Sequence, residues 1–446
     1  MSSRLIDRVR GAQQKYRAGT QTDSAEFEKI KKQLHSEIIE QIDYEKVGKT
    51  PRDELGRQLR VMLTQLVETR SLPLNRLERE RLVEEILDDI LGLGPLEALL
   101  RDPQVSDILI NGPDTIYVER KGRLQKVDIK FNDDRHLMQI IDRIVSAVGR
   151  RVDETNPMVD ARLQDGSRFN AIIPPLALDG AAVSIRRFGT VPITADDLIA
   201  YGSVPKPIMQ VLRGCVKAAL NMVISGGTGS GKTTFLNVMT SFIPQGERII
   251  TIEDAAELQL QQPHVVRLET RPPNLEGKGE VTARDLVKNA LRMRPDRIIL
   301  GEIRGSEAID MLQAMNTGHE GSLGTVHSNT TRDALARLET MIGMGMPNLT
   351  DKTIREMMAR ALDVVIQLDR LSDGTRRLLA VTEVIGMEGS IVTTQDIFRF
   401  EQKTMDDQGK IRGAFVATGT RPKFTSRLKQ HGIHLSPELF RFRMEV

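Results

Sequence analysis

The sequence predicts an α/β chain: a parallel-sheet domain fills the C-terminal half, preceded by a small α+β domain and an N-terminal helical bundle. Three changes of pattern predict it. From Val211 onward, short apolar runs alternate with helix-period segments, which is how a parallel sheet with crossover helices reads. Between Asp102-Pro103 and residue 190 the apolar period shortens to strand alternation around one helix. Between Pro51 and Leu100, apolar residues recur at helical spacing, with breaks at Pro73 and Gly92-Leu93-Gly94-Pro95.

In chain order, residues 1–48 are polar and charged and read as a flexible, loosely attached helical tail. Residues 49–102 carry the stripes Leu55, Leu59, Met62, Leu63, Leu66 and Leu77, Leu82, Ile86, Leu87, Ile90, the inner faces of a small bundle. Residues 103–190 hold a hairpin turning at Arg120–Arg123, a helix over 134–148, and strands near 158–163, 167–172 and 182–188. Prolines and the pair Asp196-Asp197 mark 191–210 as a hinge or linker. Residues 211–446 carry strand candidates at 221–225, 248–253, 264–270, 297–303, 322–327 and 363–368. Helices fit 232–242, 282–293, 305–317, 331–343 and 351–362, and after Asp373-Gly374 come hairpins. From Lys403 the pattern reads as irregular.

Bulk properties narrow the function classes. Lys+Arg 63 against Asp+Glu 61 leaves a net charge of +2, so no global field draws nucleic acid or anionic lipid to the chain. Aromatic content of 4% without Trp is a poor endowment for stacking single-stranded bases, and no direct nucleic-acid partner is expected. Cys215 stands alone, which excludes a disulfide framework and a cysteine-based zinc site and points to a reducing cytoplasm. No secretory signal and no 18-residue apolar stretch appears, so a spanning helix is not expected.

The chemistry begins at Gly226-Gly227-Thr228-Gly229-Ser230-Gly231-Lys232-Thr233-Thr234, which fits G-x-x-x-x-G-K-[ST] between an apolar strand and a helix start. Glycines let backbone N–H groups converge on phosphate oxygens, and the helix N-terminus adds unpaired donors. Lys232 is placed to reach the β- and γ-phosphates, and the Thr233 hydroxyl to ligate Mg²⁺. The expected cofactors are therefore ATP and Mg²⁺.

Hydrolysis needs acids and cations around the γ-phosphate. Arg297-Ile298-Ile299-Leu300-Gly301-Glu302 is an apolar strand ending in an acid, with Gly301 allowing close backbone approach. Ile249-Ile250-Thr251-Ile252-Glu253-Asp254 is a second such strand. Strand carboxyl ends face the ligand crevice of an open α/β sheet, so Glu253 can polarise the attacking water while Asp254 sits near the metal or holds the loop. His319 and His327, eight residues apart across a Gly-rich segment, are a candidate γ-phosphate sensor. Phosphoryl transfer also wants an arginine: Arg168, Arg186 and Arg187 precede the hinge, with Arg271, Arg292 and Arg304 as alternatives beyond it.

Taken together, Gly226–Thr234, Ile252-Glu253-Asp254, Ile298–Gly305 and Gly318–Ser328 resemble the Walker A, Asp box, Walker B and His box of the type II/type IV secretion ATPase superfamily. Val159–Arg168 and Ser184–Phe188 resemble its N-terminal domain. The wording of Arg267–Asn274 and Gly318–Asn329 looks most like the CpaF branch, which powers tight-adherence (Flp) pili. The resemblance implies a RecA-like ATPase domain behind a PAS-like α+β domain, assembled as a homohexamer with ATP between the two. It implies Glu253 as catalytic base and Glu302 as Walker B acid. Thr233, Glu302 and Asp254 would lie around Mg²⁺, His319 and His327 would couple phosphate to motion, and Arg168, Arg186 and Arg187 would clamp the nucleotide. The motor would be cytoplasmic, peripheral at the inner membrane through pilus platform proteins. The alternatives are a type IV secretion, conjugation or DNA-uptake ATPase, and a RecA-like nucleic-acid translocase. One departure bears on the branch: many type II secretion and pilus-extension ATPases carry a four-cysteine zinc motif, which this chain lacks.

Overall fold

A computed structural model describes residues 24–41, 52–70, 72–120, 123–163, 165–187, 192–273 and 277–446. The chain folds as two compact units, one within residues 1–188 and the other within 189–446.

The first unit combines helices with a six-stranded antiparallel sheet. Its first three described helices, Ser24–Gln41, Arg52–Thr69 and Arg76–Leu91, bury Leu34, Ile38, Leu63, Leu82 and Ile86 in one cluster. The segment Ser24–Gln41 was expected as part of a flexible polar tail, and the structure corrects this. Phe27, Leu34 and Ile38 recur on one face and are buried, and Lys31 reaches Glu85 and Asp89 at 3.1 and 3.2 Å. Charged positions on the other face gave the segment its polar appearance. The rest of that expected tail lies outside the described residues.

The sheet of this unit has the order β3-β2-β1-β6-β5-β4. Its strands are β1 (Val105–Asn111), β2 (Ile116–Arg120), β3 (Arg123–Val127), β4 (Met158–Arg162), β5 (Arg168–Ile172) and β6 (Ala182–Arg186). Alternation puts Ile108, Ile110, Phe169, Val183 and Ile185 on one face against Leu137, Ile140, Ile141 and Ile144 of the helix Asp134–Ala147.

The second unit is built on one ten-stranded sheet, order β16-β15-β14-β13-β12-β7-β11-β10-β8-β9. Its parallel part comprises β7 (Met222–Gly226), β8 (Ile249–Glu253), β9 (Val265–Glu269), β10 (Arg297–Ile303), β11 (Leu323–Val326) and β12 (Val364–Arg370). Antiparallel strands β13 (Arg376–Glu388), β14 (Ile391–Met405), β15 (Ile411–Ala417) and β16 (Arg443–Glu445) extend it. Central strands are apolar on both faces, as a sheet covered by helices requires. Met222 and Ile224 join one buried cluster with the helices Lys206–Lys217 and Lys232–Thr240, while Val223 joins the other with the helices Glu307–Asn316, Thr331–Gly345 and Asp351–Ala361.

Two further expectations are corrected here. The described part of the hinge is folded: helices Ala195–Ala200 and Lys206–Lys217 send Leu198 and Ile208 into the core of this unit, and the turn between them adds Val204. The acidic pair that marked a linker lies in the first turn of a helix, where Asp197 closes a reciprocal capping box with the N-cap Thr194. The region from Lys403 is likewise regular. β14 continues to Met405, the Asp406–Lys410 turn is closed by the Asp406 carboxylate accepting from Gln408 and Lys410 N–H, and β15 returns. Cys215 is fully buried on the helix Lys206–Lys217, and burial pushes its thiol up.

At the amino edge of the central strands sits a buried polar knot. Asn221 accepts N–H bonds from Gly321 and Ser322 and donates to the carbonyls of Met315 and Ala361. Arg297, 2% exposed, pairs with Glu247 and donates to the Gly321 carbonyl. Gly321 (φ 77°) is the only residue type that fits: an added Cβ would lie 1.5 Å from the Arg297 guanidinium.

Candidate functional site

The site is assembled at the opposite, carboxyl edge of the same strands. β7 is buried throughout and ends at Gly226, in register with Leu368 of β12 and one residue beyond the Ser225–Val326 pair with β11. The loop that follows has to turn from strand to helix within a few residues. Gly229 and Gly231 take left-handed φ of 71° and 92° to do so, and Gly231 caps the helix Lys232–Thr240. Gly226 is required for another reason, since a Cβ there would lie 2.4 Å from Ser230 Oγ and 2.7 Å from the Leu368 carbonyl. Ser230 Oγ donates to the Gly227 carbonyl at 2.8 Å, and Lys232 Nζ to the carbonyls of Gly226 and Gly227 at 2.8 and 3.0 Å. Burial lowers the lysine's pKa, with the nearby Glu302 acting against it. The ammonium thus rests on loop carbonyls, bonds it can exchange for phosphate oxygens.

β8 and β10 deliver the acids. Glu253, at the end of β8, is 4% exposed, and its Oε2 accepts N–H bonds from Glu257 (2.7 Å) and Leu258 (2.8 Å). Its Oε1 is buried with no hydrogen-bond partner. Burial raises the carboxyl's pKa, the two N–H bonds opposing it. Gly301 makes room for it, because a Cβ there would come within 2.8 Å of Glu253 Cγ. Glu302, next along β10, pairs with Arg304 Nε at 2.8 Å, and Arg304 Nη1 pairs with Asp254 at 2.9 Å. Thr270 also donates to Asp254 at 3.2 Å. Asp254 is therefore engaged in holding Arg304 and its own loop. Glu302, which lies near Lys232, shares Arg304 with Asp254, and the oxygen donors at this edge that suit a hard cation such as Mg²⁺ are the Thr233 hydroxyl and these two carboxylates.

The two histidines separate. β11 starts at Leu323 opposite Met222 and ends at Val326 opposite Ser225, so His327 follows at the phosphate-loop edge. There, Ser328 and Ser225 share a 2.9 Å hydroxyl bond. His319 precedes the strand, next to the polar knot, and its carbonyl accepts from Ser322. A four-residue strand, roughly 13 Å at about 3.3 Å per residue, lies between them. The chain does not bring His319 to its own phosphate loop.

Among the N-terminal arginines, Arg168 and Arg186 are exposed and face each other in register on β5 and β6, paired with Asp160 (3.5 Å) and Asp107 (3.3 Å). Both guanidiniums are open to solvent and to an anion. Arg187 differs from expectation: its Nη1 donates to the carbonyls of Asp102 and Val105, and its buried Nε lacks a partner. It fastens the start of β1 and is not free to clamp a nucleotide.

Sequence reading missed the basic groups that β12 and β13 bring to the loop. Arg376 Nε donates to the Gly229 carbonyl at 2.8 Å, and Arg370, its cross-strand partner, has Nη1 3.7 Å from where a Gly229 Cβ would be. The Asp373-Gly374 turn signalled the hairpin, but nothing local in the sequence says that it stands beside the phosphate loop.

The family profile described as "Type II/IV secretion system protein" matches residues 89–413, and "Type II secretion system protein E, N-terminal domain" matches 27–91. A putative conjugal transfer protein of Mycobacterium tuberculosis is 38% identical over 68% of this chain and 87% of its own length. This chain belongs to the type II/IV secretion ATPase superfamily. The conjugal transfer protein TrbB of Rhizobium radiobacter is 33% identical over 69% of this chain and 91% of its own. The VirB11 ATPase of the Brucella suis type IV secretion system, solved with sulphate, is 28% identical, covering 64% of this chain and 94% of that one with a TM-score of 0.35. The secretion-ATPase resemblance seen in the motifs is thus shown. The two curated relatives carry conjugal-transfer names.

Proposed function

We propose that this secretion-family ATPase is a Mg²⁺-dependent, homohexameric motor of a type IV secretion or conjugal-transfer machine, hydrolysing ATP to move cargo or machine subunits. The observation that carries the chemistry is Glu253: a buried carboxylate with one oxygen anchored by two N–H groups and the other unpartnered, at the strand edge that bears the phosphate loop. That arrangement suits a base taking a proton from water. Thr233 and Glu302 would hold Mg²⁺, Lys232 the phosphates, and His327 would sense the γ-phosphate. Arg168 and Arg186 would clamp the nucleotide. His319 would act across a subunit boundary, since its own strand carries it away from the loop. Among the described residues no helix is long and apolar enough to cross a membrane, so attachment to the inner membrane would run through partner proteins. The tight-adherence pilus reading keeps only the wording of Arg267–Asn274 and Gly318–Asn329 as support.

The test is the ATPase rate per subunit against protein concentration, with Mg²⁺ present. A rate climbing steeply with concentration is expected of sites completed between subunits, and a flat rate with a monomeric mass would refute the ring. In the same assay Lys232→Ala should lose nucleotide binding and turnover. Full activity in that variant would refute the phosphate-loop assignment.

A further inference from the structure

We infer that Arg376 is a positioning residue that sets nucleotide affinity by tethering the phosphate loop from outside, an inference that rests on the ATPase reading above. The loop needs such a tether. Four of its first six residues, Gly226 to Gly231, are glycine, and chain freedom lost on ordering is largest for glycine. Its own cross-links are few. Ser230 bonds back to Gly227 from within the loop. The two Lys232 bonds to Gly226 and Gly227 must be surrendered when the ammonium turns to phosphate. The Arg376–Gly229 bond comes from a different element and involves neither the lysine nor a loop N–H, so nucleotide entry leaves it in place.

The sheet explains why the arginine is there. β12 pairs with β7 as far as Leu368 and Gly226, then runs on through Asp369 and Arg370 before β13 begins at Arg376. At about 3.3 Å per residue the hairpin overhangs the start of the loop by roughly 7 Å. The overhang puts Arg376 Cδ 3.3 Å from where a Gly231 Cβ would be, and Arg370 beside Gly229. An arginine held by a loop carbonyl does two things. It keeps that oxygen's lone pairs away from an anionic ligand, and it adds a cation at the mouth of the site. Neither effect depends on the γ-phosphate.

The consequence is specific. Arg376→Ala should weaken ATP and ADP binding by the same factor, about tenfold, corresponding to loss of roughly one charge-assisted hydrogen bond. The rate at saturating ATP should change less than about twofold, giving a KM effect without a kcat effect. Because Arg376 is exposed, the melting temperature of the unliganded protein should stay put. Arg376→Lys, which keeps the charge and a donor, should recover most of the affinity. The measurement is titration of the full chain with fluorescent ATP and ADP analogues, alongside steady-state kinetics. Unchanged affinity in Arg376→Ala would overturn the assignment, as would weakening of ATP alone or a fall in kcat with affinity intact. Wild-type protein that binds neither nucleotide would overturn the ATPase reading together with this one. Normal wild-type binding with an indifferent Arg376→Ala would overturn this one alone.

Discussion

Glu253→Gln should bind ATP as the wild type does and hydrolyse it about 10²- to 10⁴-fold more slowly, the range a positioned general base contributes. The substitution is nearly isosteric. Glutamine Oε1 can still accept from the Glu257 and Leu258 N–H groups, so the loop those bonds hold should keep its shape. What disappears is the ability of the other terminal atom to take a proton. Single-turnover measurement with pre-bound ATP separates this from a binding defect, and equal turnover would exclude Glu253 as the base. The pH profile gives a second reading. Burial raises the Glu253 carboxyl above its ordinary 4.5, so on acidification it takes up its proton earlier than an exposed glutamate would. The acid limb of kcat should therefore lie above the usual carboxylate range in the wild type and be absent from the residual activity of Glu253→Gln.

Gly321→Ala should destabilise the second unit by about 3–5 kcal/mol, the cost of breaking a buried ion pair by displacing one partner. The new Cβ would meet Arg297 Nη1 at 1.5 Å, Arg297 Cζ at 2.4 Å and Ala219 Cα at 2.8 Å. Arg297 is buried and fixed on Glu247 (3.1 Å), so it can move only by leaving a charge unpaired. At about 2–4 °C per kcal/mol for a unit of this size, a fall in melting temperature on the order of 10 °C follows. Gly318→Ala, in the same Gly-rich segment, is the control. Gly318 also has positive φ (93°) but nothing within 4 Å of an added Cβ, so only backbone strain of about 1–2 kcal/mol is expected. Equal losses in the two variants would show that the clash with Arg297 is not what makes residue 321 glycine.

The phosphate loop, Glu253 and Glu302 were legible because each is local: a glycine pattern, or an apolar run ending in an acid. Parallel pairing then brings their carboxyl ends to one edge without further instruction. His319 was misplaced for the complementary reason. Eight residues of sequence separation look like proximity, yet β11 lies between the two histidines and sends them to opposite edges. Arg187 reads identically to Arg186 in sequence. Only the structure shows its guanidinium engaged by the carbonyls of Asp102 and Val105. Arg376 was invisible because its role depends on β12 pairing with β7, a register joining residues some 140 positions apart. The helix Ser24–Gln41 and the capping box at Thr194 show the converse, where polar composition on one face masked an apolar or capping role.

Cys215 has a practical consequence. It is the sole sulfhydryl in the chain, it is buried in the core, and its environment disfavours the thiolate that reacts with alkylating reagents. A cysteine introduced at an exposed site, such as Ser372 in the hairpin that carries Arg370 and Arg376, would be the one that takes a maleimide dye. Fluorescent reporters can thus be attached beside the phosphate loop in the otherwise native chain, with no prior cysteine removal.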